Sequence, residues 1–224
     1  KLGKVLLTGG TMFISVIAYS WIFGWWYAVG FVVLILIHEM GHYVAARQRG
    51  LDVGAPTFIP FVGAWIQLKD QPHNAETEAY VGVAGPLAGT AGALAAYFLA
   101  RHYDSNLLLA LAYAGFFLNL FNLIPLAPFD GGRITAVISP RLWLIGVPLL
   151  IALFFYRPSP LLILIAVLAA PNVLKAWRGI GEAEAGYYIA DAETRLTYGL
   201  LYLGLAAFLA IMCQQLHAEL PRAF

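Results

Sequence analysis

Charge is scarce in this 224-residue sequence, and cysteine is almost absent. Asp, Glu, Lys and Arg make up 11% of the chain, against about 25% in an ordinary soluble domain. Thirteen Lys and Arg and twelve Asp and Glu cannot cover a water-facing surface, and 61% of the residues are hydrophobic, so the solvent is a lipid bilayer. The lone Cys213 excludes an internal disulfide, a cysteine-rich zinc site and an iron–sulfur cluster. A formal net charge of +1 carries no basic excess, which argues against nucleic acid as a partner. No cleavable signal is legible at the start, because the apolar run continues without a small-residue break. The chain also shows no internal repeat, no low-complexity tract and no soluble domain of useful size.

What the sequence does contain is a series of apolar runs. A spanning helix needs about 20 mostly apolar residues. Residues 5–23, 25–46, 78–100, 105–123, 142–155, 161–176 and 197–215 are the candidates. The two between 142 and 176 are short, and Pro148, Pro158, Pro160 and Pro171 interrupt them, so the expectation is six or seven spans in an all-α polytopic membrane protein. With the N-terminus in the cytoplasm, ten of the thirteen Lys and Arg fall inside, leaving Arg101, Arg157 and Arg222 outside. That asymmetry predicts a multi-pass protein with a cytoplasmic N-terminus.

Two stretches do not read as spans. Residues 51–70 carry β-branched and aromatic side chains broken by Gly54, Pro56, Pro60 and Gly63, a pattern that predicts a small membrane-associated β-hairpin near 53–70. A strand edge cannot face lipid, so this one must pair with itself or with another extended chain. Residues 179–195 are the most polar part and read as a solvated, partly helical connector.

Chemistry concentrates in His38-Glu39-Met40-Gly41-His42, near the cytoplasmic end of the second span. At 100° per residue, positions i and i+4 share a helix face, so the two imidazoles can bind one metal ion. Glu39 borders that face. Zinc held by imidazole nitrogens brings the pKa of a bound water down to about 7, and the carboxylate can take the proton as attack on a carbonyl begins. An ionised side chain in a span costs about 2.5–3.5 kcal/mol at its centre, which such residues rarely bear without a function.

Two His ligands leave a catalytic zinc one protein ligand short. Glu76, Glu78, His102, Asp104 and Asp130 are the polar residues stranded in suitable places. His102 and Asp104 fall on the opposite side of the membrane, and Glu76 and Glu78 read as interfacial. Asp130 follows the fourth span on the same side as the His pair. Pro125 and Pro128 end that helix, and Gly131-Gly132 read as a turn permitting unusual backbone conformations. Asp130 is therefore the best third ligand. Gly85, Gly89 and Gly92 read as close helix packing at small-xxx-small spacing, and the tryptophans around Trp21, Trp25 and Trp26 as an interfacial belt.

The motif HEMGH in one apolar segment, with N-x-x-P-x-x-x-x-D-G-G beginning at Asn122 in a later one, resembles the site-2 protease family of intramembrane zinc metalloproteases. Gly85-Pro86-Leu87-Ala88-Gly89 looks like that family's small-residue motif, and the likeness runs from about residue 29 to 133. It implies one zinc held by His38, His42 and Asp130, with Glu39 as catalytic base and Asn122 against the substrate backbone or the developing oxyanion. Phe129 stands where the family usually has Leu. With neither a PDZ domain nor a CBS pair in these residues, the chain reads as a minimal form: one domain over 1–224, with a catalytic core of about 25–135 and C-terminal helices of about 142–216. The implied activity is hydrolysis of peptide bonds within or near transmembrane segments, the active site facing the cytoplasm. A substrate helix must unwind to expose its carbonyls, and its extended strand is expected to pair with the hairpin around Gly54, Pro56, Gly63 and Lys69. Two rival functions use the same residues. A zinc-binding transporter often has related halves, which are missing here. A catalytically silent relative would lack a ligand or the base, and all four residues are present.

Overall fold

The computed structural model describes residues 2–61, 63–68 and 72–220. Among them the order is α1 (Leu2–Phe23), α2 (Trp25–Gln48), β1 (Val53–Ile59), β2 (Gly63–Leu68), α3 (Ala75–Tyr103), α4 (Asn106–Asn122), α5 (Asp130–Ile138), α6 (Trp143–Tyr156), α7 (Pro160–Arg178), α8 (Glu182–Ala185) and α9 (Ala192–Glu219). α1, α2, α3, α7 and α9 are long and apolar enough to cross a membrane, while α4 and the segment Pro140–Tyr156 are apolar but shorter. The chain is an integral membrane protein, helical with one small sheet among the described residues. All seven expected spans fall on helices.

Three expectations need correction. Pro148 and Pro171 do not interrupt their runs but lie inside α6 and α7, as Pro86 lies inside α3. In a membrane helix, neighbouring helices and small local adjustments re-satisfy the backbone groups that a proline frees, so the helix continues through it. The turn expected at Asp130 is the first turn of an extra helix, α5. The connector is indeed partly helical, but it is tied down as well as solvated.

The fold comprises two compact units interleaved in sequence, one made of Lys1–Gln71, Ala84–Leu120 and Ala207–Phe224, the other of Pro72–Val83 and Phe121–Ala206. In the first, α1 and α2 form a hairpin about Gly24, whose φ of 84° suits a residue without a Cβ. Exposed Trp21 and Trp26 flank that turn. Tyr19, Ala28, Val32, Ile35 and Phe58 form a core between the helices and the sheet. β1 and β2 pair antiparallel, with Thr57 opposite Trp65 and Ile59 opposite Gly63, and the register is irregular between Val53 and Pro56. α1 occupies the outer edge of β1: the Thr8 hydroxyl donates to the Pro56 carbonyl (2.8 Å), and the Phe58 N–H donates to the Thr11 hydroxyl (3.2 Å). Beyond the strand, the Phe61 N–H donates to the Tyr19 hydroxyl at 3.1 Å.

In the second unit, Ile124, Leu126, Phe129, Trp143, Leu150 and Ile165 build the core. The glycine pair in α5 is there for space, not for unusual torsion. Neither has positive φ, and a Cβ on Gly131 would run into the Leu123 and Ile124 backbone, one on Gly132 into Leu126 and Ala127. The Trp143 indole N–H donates to the Gly132 carbonyl at 2.8 Å. Several tethers hold the connector. Tyr187 donates to Glu78 (2.7 Å), Lys175 pairs with Glu184 (2.6 Å), and Arg195 donates to the carbonyls of Ile138 and Ala190.

Candidate metal centre

α2 buries its ionisable residues together: His38, Glu39 and His42 are all below a tenth exposed. The i, i+4 spacing does what helical geometry requires. The rings lie 4.9 Å apart at 78°, and their Nε2 atoms converge to 3.1 Å. Two imidazole nitrogens on one tetrahedral zinc are roughly 3.3 Å apart at ordinary Zn–N lengths. Such convergence of lone-pair-bearing atoms needs a proton or a cation between them.

The surroundings of the pair are shaped to it. A Cβ on Gly85 would overlap the His42 imidazole, one on Gly41 the Ala84 carbonyl, and one on Gly89 the Asn119 amide. Asn119, 1% exposed on α4, places Oδ1 at 2.8 Å from His38 Nδ1, while its Nδ2 donates to the Gly115 carbonyl at 2.7 Å. Sequence reading missed this residue. The signal was available: an amide within an otherwise apolar helix needs a partner.

Asp130 is buried as the first residue of α5, where the free N–H groups of a helix start favour a carboxylate. Arg133, one turn on, lies 3.9 Å from Asp130 and 3.8 Å from Glu78. His38 and His42 belong to the first unit and Asp130 to the second, and each is buried. Two nitrogens and one carboxylate oxygen suit zinc with one position left open.

The remaining candidates fall elsewhere. Glu78 pairs with Arg133 and accepts the Tyr187 hydroxyl. Burial, and after it the Glu78 charge, pushes that phenol well above its ordinary range. Glu76 is half-buried at the start of α3, and His102 and Asp104 are exposed around its end. Asn122 is the last residue of α4 and half-buried. Pro56 sits on the edge of β1 that α1 already holds, Gly54 lies in the irregular part of that strand, and Gly63 begins β2. Lys69 lies outside the described residues.

Residues 26–103 match peptidase family M50. Over 123 residues, 51% of this chain, the sequence is 31% identical to a zinc metalloprotease of Methanocaldococcus jannaschii and 33% identical to the protein Rip3 of Mycobacterium tuberculosis. The chain spans about a third of the length of these curated relatives, 35% and 31%. Its fold is similar to that of a site-2 protease from Methanocaldococcus jannaschii, with a TM-score of 0.50 at 22% identity, covering 80% of this chain and 87% of that one.

Proposed function

We propose, from the chain's kinship with peptidase family M50, that it is an intramembrane zinc endopeptidase cutting other membrane proteins within or near their transmembrane segments. The observation that carries this reading is the convergence of the His38 and His42 Nε2 atoms to 3.1 Å, both rings buried on an apolar helix beside Glu39. His38, His42 and Asp130 would hold the metal, one ion per chain. Zinc, when bound, supplies a Lewis acid that polarises a carbonyl and makes water a stronger acid.

The protein's own groups do the rest. Glu39, adjacent to His38 and buried, takes the proton of the attacking water and delivers it to the departing amine nitrogen. Asn122 supplies an amide donor to the substrate backbone or to the oxygen on which charge develops. The apolar helices limit water around the reacting groups, which strengthens each of these interactions.

The substrate enters as an extended strand. Backbone groups alternate between the two edges of a strand. Since Pro56 and Phe58 of β1 face α1, Thr57 and Ile59 face β2, and in β2 it is Ala64, Ile66 and Leu68 whose backbone groups point outward. A substrate segment that pairs there satisfies its own amides, as lipid demands. The weight of Lys and Arg supports a cytoplasmic N-terminus and an active site toward that face.

The test is cleavage of single-span substrates by the purified protein in lipid vesicles. Glu39→Gln should keep zinc at one per chain and lower the cleavage rate by at least about 10³-fold, with chelator abolishing and zinc restoring the wild-type rate. Full activity of the Gln variant, or cleavage indifferent to chelator, rejects the mechanism.

A further inference from the structure

We infer that Asn119 is a positioning residue that decides which nitrogen of His38 is available to a metal. The inference rests on the reading above that His38 is a ligand. Six atoms along one buried chain of hydrogen bonds carry it. The Gly115 carbonyl can only accept, so the group 2.7 Å from it must be the amide nitrogen of Asn119. The amide oxygen is thereby turned to His38 Nδ1, 2.8 Å away. That oxygen can only accept in its turn, so Nδ1 carries the hydrogen. A neutral imidazole has one ring N–H, and Nε2 is left with its lone pair, directed toward Nε2 of His42 at 3.1 Å.

Nothing in this chain has freedom to turn. Asn119 is 1% exposed and His38 3%. Reversing the amide would set its oxygen against the Gly115 carbonyl, two acceptors at hydrogen-bond distance. Gly89 leaves the seat for the amide, since a Cβ there would overlap both Oδ1 and Nδ2. An amide kept only for packing, or only for its bond to Gly115 within α4, has no need to aim its second half at the ring. Groups that orient a metal-binding imidazole through its other nitrogen typically contribute 10–100-fold to metal affinity.

Asn119→Leu and Asn119→Asp separate orientation from packing. Leu keeps the volume and removes the acceptor; Asp, protonated on the oxygen that meets the Gly115 carbonyl, still donates there and keeps an acceptor facing Nδ1. With only five histidines in the chain, 15N-labelled His resolves the ring tautomers, and competition with a chromophoric chelator gives the zinc affinity. In the zinc-free wild type, His38 is expected to carry its hydrogen on Nδ1. The Leu variant should bind zinc about 10–100-fold more weakly, with the ring hydrogen no longer confined to Nδ1, while Asp stays within about threefold of wild type and keeps Nδ1–H. Wild-type affinity in Leu, an equal loss in Asp and Leu, or a wild-type His38 protonated on Nε2 overturns the inference. Should Leu fail to fold, the wild-type tautomer and the Asp variant still decide. His42→Ala serves as the control for the ligand set. If it binds zinc as wild type does, the metal site itself is misassigned, whereas loss there with wild-type affinity in Asn119→Leu removes Asn119 alone.

Discussion

His42 keeps its position because residue 85 has no side chain, and Gly85→Ala puts a methyl carbon where the imidazole Nε2, Cε1 and Cδ2 now lie. The expected outcome is a destabilisation of about 1–3 kcal/mol from overpacking and at least tenfold weaker zinc binding, read by thermal unfolding and chelator competition. Gly92→Ala on the same helix meets the side chains of Ile37 and Leu34 at 3.2–3.4 Å, mostly their flexible ends, and should be near neutral in both measurements. The sequence presents Gly85, Gly89 and Gly92 as one small-residue stripe; the structure divides them by what each faces. His38, Glu39 and His42 were legible because helical period alone brings i and i+4 together. Asn119 was not, because its partner lies 81 positions away and no local spacing connects the two. Gly131 and Gly132 were read for the wrong property, conformational freedom, when close approach of the 123–127 backbone is what excludes a side chain there.

Among the elements, the connector changes most in meaning once its contacts are known. Composition shows its charges but not where they reach, and the Tyr187 bond to Glu78 crosses 109 positions. Glu78 in turn faces Arg133, the neighbour of Asp130 on α5, so the polar strap is joined through side chains to the helix that bears a candidate ligand. Tyr187→Phe should raise the rate of proteolytic nicking within residues 179–191 about fivefold, the change that roughly 1 kcal/mol produces. The phenol is raised above its ordinary value of 10.0 by burial first and the Glu78 charge second. A raised pKa means the tether's contribution is whole below pH 10 and is lost only as pH climbs through the higher value. Nicking of the wild type by a protease active over the range should therefore be flat from pH 7 to 10, and a rise centred below pH 9 would contradict the assignment. The hairpin was legible from alternation and its glycines; that α1 holds the outer edge of β1 was not, since two threonines in an apolar helix carry no signature of their strand partners.

For the molecule as a whole, hydropathy gave the spans because each had to bury its own backbone bonds, and this demand is local. The interleaving of two units depends on contacts between distant segments and left no trace in composition. If substrate helices must open before they can pair with β2, the sequence of the substrate sets the rate. Replacing Pro or Gly in a substrate span by Leu should slow cleavage at least severalfold without weakening insertion, measured on matched substrates in vesicles, and an unchanged rate would count against an unwinding step. The tryptophan-flanked turn at Gly24 has a consequence for where a cut falls. His38 lies thirteen residues beyond Trp25 on an unbroken helix, about 20 Å along its axis. With the aromatic tip anchored at one boundary of a hydrocarbon layer about 30 Å thick, the ring is held roughly 10 Å beneath the other. The protein thus carries a depth gauge, and on the proposed activity thinning or thickening the bilayer should shift the scissile bond along the substrate by a predictable number of residues.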